Sequence, residues 1–75
     1  MDESIAIKVA QGLRAARLRA GLTQAQAAEA ASLSPEVYGR MERGKLLPSL
    51  PTLTVLCAAF RSSLDEVMGL PSRPT

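Results

Sequence analysis

Two helix-start signals and one stop signal, set close together, confine residues 22–45 (LTQAQAAEAASLSPEVYGRMERGK) to a pair of short helices joined by a tight turn. Thr23 and Gln24 open the first. A threonine oxygen at the N-cap accepts from a backbone N–H that has no partner inside the helix. Ala27, Ala28 and Ala31 then supply a small-residue face at helical spacing. Ser32-Leu33-Ser34-Pro35 makes the turn. Ser34 is the next N-cap, and Pro35 stands at the first helical position, where its missing N–H costs nothing. The second helix reaches about Arg43 and stops at Gly44, the residue best suited to a left-handed C-terminal cap.

Two helices of this size, separated by about three or four residues, are the local pattern of a DNA-binding helix-turn-helix. The residues also resemble a known family. Leu22-Thr23-Gln24, Ala28, Leu33-Ser34 and Arg40-Met41-Glu42-Arg43-Gly44 match the Cro/cI-type (phage-repressor-like, XRE) helix-turn-helix domain. Pro48-Ser49-Leu50 and Ser63-Leu64-Asp65-Glu66-Val67 match it too, so the resemblance spans residues 9–69. It implies an all-α, five-helix lambda-repressor-like DNA-binding domain whose second and third helices form the helix-turn-helix.

The rest of the chain fits one domain over residues 1–75. Helices are expected at about 4–20, 23–31, 35–43, 50–60 and 63–68, with a flexible proline-containing tail at 70–75. Ser4 can cap the first helix, with Ile5, Val9, Leu13 and Ala16 as its apolar face and Gly21 as its stop. Ser49 precedes a helix that begins at Leu50-Pro51 and carries Leu53, Leu56, Cys57 and Phe60 as an inner stripe. Ser62 or Ser63 caps the last helix, and Gly69 ends it. A chain this short buries about 60% of its unfolded surface, so oligomerisation is a natural source of added stability.

Composition narrows the chemistry. There is no histidine, and Cys57, the single cysteine, falls on the inner stripe of its helix. The usual zinc ligand sets and the usual general base are both missing, so neither a metal, a cofactor nor an enzyme activity is expected. No apolar run is long enough for a signal or a membrane span, which points to the cytoplasm and, with the family, to the bacterial or phage nucleoid. Net charge is +2. From Lys8 to Lys45 seven basic residues (Lys8, Arg14, Arg17, Arg19, Arg40, Arg43, Lys45) face three acidic ones (Glu29, Glu36, Glu42). A basic half of a small domain suits a phosphate backbone, although solvated helix faces give the same count.

A helix-turn-helix lays its second helix in the major groove. The residues at or near that docking face are Thr23, Gln24, Ser34, Pro35, Glu36, Val37, Gly39, Arg40, Arg43 and Lys45. Arg40 suits a bidentate bond to guanine or a phosphate contact. Gln24 holds the family position that grips a phosphate, and Arg43 and Lys45 look like backbone anchors. The resemblance further implies that Arg17 pairs with Glu42, joining the first helix to the third. Tyr38 stands where the family has an aliphatic core residue and is expected to pack inward with its hydroxyl at the surface. With Met41 and Phe60 it fills space left by Ala16, Ala27 and Ala31, where the family often has leucine.

Three departures stand out. Pro35 offers DNA no polar side-chain atom, and Glu36 brings a charge that phosphates repel. Ser32 replaces the usual turn glycine. Leu46-Leu47 sits where the family is often polar, and Leu46, Leu47 and Leu50 with Val67, Met68 and Leu70 are expected to form an apolar contact patch. These readings combine into a sequence-specific, repressor-like regulator that binds an inverted repeat of double-stranded DNA as a homodimer. The alternative is a protein-interaction module on the same fold (anti-repressor, co-regulator or antitoxin-like), with another regulatory protein as its partner.

Overall fold

The computed structural model describes residues 3–69, with side chains from residue 5 onward. The described residues form five helices: α1 (Glu3–Arg19), α2 (Gln24–Ala30), α3 (Pro35–Glu42), α4 (Leu50–Phe60) and α5 (Leu64–Met68). The expected tail at 70–75 lies outside the described residues. Because α1 begins at Glu3, Ser4 is a helical residue and not its cap.

Each junction is made by local chemistry. The side-chain oxygens of Thr23, Ser34, Ser49 and Ser63 accept from the backbone N–H of Gln26, Val37, Thr52 and Glu66, so α2 to α5 all start on a satisfied cap. Thr23–Gln26 and Ser63–Glu66 are full capping boxes, with the Gln26 and Glu66 side chains returning to the cap N–H groups. Pro35 and Pro51 occupy first-turn positions of α3 and α4.

The core lies where α1 packs against α3, α4 and α5, with α2 joined to it through α3 and α4. Val9, Leu13 and Ala16 of α1 pack with Ala27 and Ala28 of α2, Tyr38 and Met41 of α3, the Leu53–Leu56–Cys57–Phe60 stripe of α4, and Val67 of α5. Tyr38, Met41 and Phe60 thus fill the space beside the alanines. Ile5, expected on the inner face of α1, is instead 44% exposed; Ala6 and Ala10 take the inward positions, one helical step around.

Ser32 shows a cost that its sequence position only hinted at. It is left-handed, with φ 57°, so the turn does demand the conformation that glycine adopts freely. A side chain there costs about 1–2 kcal/mol, partly offset by the extra chain entropy a glycine would lose, about 0.5–1 kcal/mol. Ser32→Gly is therefore expected to stabilise by roughly 0.5–1 kcal/mol and to raise Tm by about 3–6 °C in thermal unfolding. A Tm that stays put or falls would show the turn to be unstrained.

Candidate nucleic-acid interface

A single carboxylate fixes α3 against the rest of the domain. Glu42, at the end of α3, accepts Nε of Arg17 at 2.6 Å and Nη2 of Arg17 at 3.0 Å. It also accepts Nε2 of Gln24 at 3.0 Å and the hydroxyl of Tyr38. The third nitrogen of Arg17, Nη1, donates to the Leu22 carbonyl at 2.9 Å, which ties in the loop before α2. The Arg17 and Glu42 side chains are only 10% and 3% exposed, and the arrangement leaves no buried side-chain polar atom unpaired among the described residues. One buried acid thereby joins α1, α2 and α3.

Tyr38 differs from expectation here. It does pack inward, but it is fully buried and its hydroxyl ends on Glu42, away from the surface. Burial and the Glu42 carboxylate both push its ionisation well above the ordinary tyrosine range. Burial alone would raise the Glu42 carboxyl. The bonds from Arg17, Tyr38 and Gln24 outweigh it and hold the group below the usual carboxylate value. The same bond to Glu42, against the cost of burial, keeps the Arg17 guanidinium charged.

These shifts set the pH dependence. As pH falls through about 4.3, the unfolded chain takes up a proton at Glu42 that the native fold resists, so stability drops until the depressed native value is passed. Above pH about 10 the unfolded chain loses the Tyr38 proton while the native fold keeps it, so stability drops again. Unfolding in urea across pH should show a plateau with both limbs. Tyr38→Phe should remove the alkaline limb and leave the acid one; an unchanged alkaline limb would place its origin elsewhere.

The outer face of α3 is separate from this knot. Glu36, Arg40 and Arg43 recur at helical spacing on the exposed side, with Pro35 exposed at the start. Lys45 is exposed in the following loop, while Gly44, at φ 73°, packs back on Ile7 of α1. Of the other residues expected at the docking face, Thr23 and Ser34 are exposed, but their oxygens are taken up as caps. Val37 is half-buried against the core, and Gly39 is buried. A Cβ on Gly39 would meet Arg43 Nη1 at 3.1 Å and Gln24 Oε1 at 3.6 Å, so those two side chains converge above it. Gly39 is a floor for its neighbours and presents nothing to a ligand. Gln24 is exposed, with one amide hydrogen committed to Glu42 and the other free.

The basic half of the chain is thinner in three dimensions than in sequence. Arg17 is spent inside, and Arg19 donates to Ser62 Oγ at 3.4 Å and pairs with Glu66 at 3.7 Å. The ion pairs among the described residues leave Arg40, Arg43 and Lys45 without an acidic partner. An open cleft of about 530 Å³ lies beside Arg19, between Leu22, Phe60 and Arg61. No group of residues able to hold a metal occurs among the described residues. Burial, and to a lesser degree Glu66, push the Cys57 thiol up, which suits an inert core residue.

The apolar patch also changes. Val67 is fully buried in the core, and Leu46 and Met68 are half-buried against it. Leu70 lies outside the described residues. Among the described members of that set, only Leu47 and Leu50 are free, at 37% and 64% exposure. Sequence reasoning also missed the tie between Gln24 and Glu42, for which no local signal exists, and the Thr23–Gln26 box, which the T-x-x-Q spacing does signal.

Comparison with known proteins gives a family and similar solved structures. Residues 9–68 match the model of the helix-turn-helix domain. No curated protein matches significantly. Among solved structures, the clp gene regulator ClgR from C. glutamicum is 30% identical, with a TM-score of 0.80 over 85% of this chain and 82% of that one.

Proposed function

The chain belongs to the helix-turn-helix domain family, and from that premise we propose that it is a repressor-like regulator that reads an inverted repeat as a homodimer. As a DNA-binding transcriptional regulator it works by binding, on double-stranded DNA in the cytoplasm. The observation that carries the reading is the division of α3: its inner face is locked by the Glu42 knot, while Arg40, Arg43 and Lys45 remain exposed and unpaired beside it. A rigid helix with free cations on one face suits the major groove, where phosphate contacts position and side chains read base edges. Arg40 is the sequence reader. Gln24, Arg43 and Lys45 hold the backbone.

Selection from a random-sequence DNA pool at two salt concentrations tests this. An inverted repeat should emerge, with affinity falling steeply as salt rises. Arg40→Ala should relax one position of each half-site, at about 1–3 kcal/mol, whereas Gln24→Ala should weaken all sequences alike. If folded protein enriches nothing at low salt, the reading is wrong.

Glu36 supports a second reading, a protein-interaction module. It stands one turn before Arg40 on the same exposed face, where its carboxylate repels phosphate and competes for the guanidinium. An empty selection with intact folding would favour this reading.

A further inference from the structure

The first turn of a helix lying in the major groove meets base edges first, and in α3 that turn has one polar side-chain end free. The Ser34 oxygen is taken up by Val37 N–H at 3.2 Å. Pro35 is exposed but has no polar side-chain atom, and Val37 is half-buried against the core. Gly39, further along, is buried under Gln24 and Arg43. Glu36 remains. It is exposed, and the ion pairs among the described residues do not include it. Arg40 follows four residues later, in the order that favours a glutamate–arginine pair, yet no ion pair joins the two. Both ends are therefore available to whatever the helix docks on.

We infer that Glu36 reads a cytosine through its N4–H, and that the domain for this reason discriminates against DNA methylated at that nitrogen. This assignment rests on the DNA-binding reading above and makes a reader of the residue that weakens it. A carboxylate can only accept. In the major groove guanine offers acceptors and thymine an acceptor and a methyl group; the donors are cytosine N4 and adenine N6. Adenine sets its N7 acceptor beside that donor, where it repels the second carboxylate oxygen. Cytosine has a C–H there, so its own edge suits the carboxylate best.

One hydrogen of cytosine N4 pairs with guanine and the other faces the groove. Methylation with pairing kept replaces the second, so Glu36 loses its donor and meets a methyl group. Four residues of helix advance about 6 Å, or roughly two base steps of ~3.4 Å, so the cytosine falls within about two steps of the guanine taken by Arg40. The same negative charge opposes phosphates in every sequence, so Glu36 trades strength of binding for selection. An acid in the first turn also suits the helix dipole. That structural role bears on Tm and is indifferent to base identity, which makes the two separable.

The random-sequence selection is run in parallel with the parent chain, Glu36→Ala and Glu36→Gln. The parent should return a cytosine within about two steps of the position that Arg40→Ala relaxes. Glu36→Ala should make the cytosine position degenerate and bind unrelated DNA about two- to fivefold more tightly at low salt. Glu36→Gln should move the preference there to adenine, which an amide grips through N6 and N7. The selected duplex is then titrated with N4-methylcytosine at that position. Methylation should weaken the parent at least about fivefold and Glu36→Ala by less than about twofold. A repeat on which Glu36→Ala keeps the parent's base preferences, whether or not its Tm falls, overturns the assignment. So does a methylation effect of equal size in both proteins. Either result leaves the regulator reading standing, whereas folded parent that enriches no DNA overturns both.

Discussion

Arg17→Ala is expected to lower the free energy of unfolding by about 3–5 kcal/mol, because it strands a carboxylate that is already out of water. A chain of 75 residues has on the order of 4–11 kcal/mol in total, so the variant should lose a large share of its stability. The cause is asymmetric. Glu42 is only 3% exposed and accepts four hydrogen bonds, two of them from this guanidinium. Removing the guanidinium leaves the desolvation in place and takes away the main reason the carboxyl stays ionised. Arg17→Lys should recover only part of the loss, since an ammonium cannot match the fork that spans both Glu42 oxygens and the Leu22 carbonyl. Replacing the whole knot with apolar groups (Arg17→Met, Tyr38→Phe and Glu42→Leu together) should restore most of the stability. Urea unfolding curves distinguish these cases. A single Arg17→Ala loss below about 1 kcal/mol would mean that the pair behaves as a surface bridge.

The second large effect is at Gly12, where intuition gives the wrong sign. In mid-helix, alanine is favoured over glycine by about 0.5–1 kcal/mol. Here a Cβ would lie 1.8 Å from the Val67 carbonyl oxygen and 2.6 Å from its carbon, both backbone atoms with no rotamer to move. Either α5 lifts from α1 or α1 bends. A helix of five residues has little else to hold it, and Val67 is its one fully buried anchor. Gly12→Ala should therefore cost about 3 kcal/mol from overpacking and lost burial of Val67, and lower Tm by more than about 10 °C. Hydrogen exchange should quicken first in α5. A variant that melts at or above the parent temperature would place α5 farther from α1 than described.

Much of this was legible in the sequence, and the limits have physical reasons. The caps at Thr23, Ser34, Ser49 and Ser63 and the stops at Gly21, Gly44 and Gly69 are decided by neighbours a few residues away, so reading along the chain finds them. Gly12 shows the opposite case. A glycine inside a strong helical pattern signals that something comes close, but what comes close is 55 positions away. Val67 was misplaced for a related reason, since on a helix of five residues periodicity cannot separate the inner side from the outer. The Arg17–Glu42 pair was implied by family resemblance; that Gln24 and Tyr38 converge on the same carboxylate required the third dimension.

The separation of the two sides of α3 has a consequence for how such a chain changes over time. Glu36, Arg40 and Arg43 face solvent and share no bond with the Glu42 knot, so substitutions there touch the frame very little. Tyr38, Met41 and Glu42, interleaved with them along α3 and its cap, are nearly immovable. One short helix thus carries two vocabularies: one can be rewritten letter by letter while the other keeps the sentence grammatical. Duplicates of this domain can therefore drift to new partners through single steps, with no destabilised intermediate to cross.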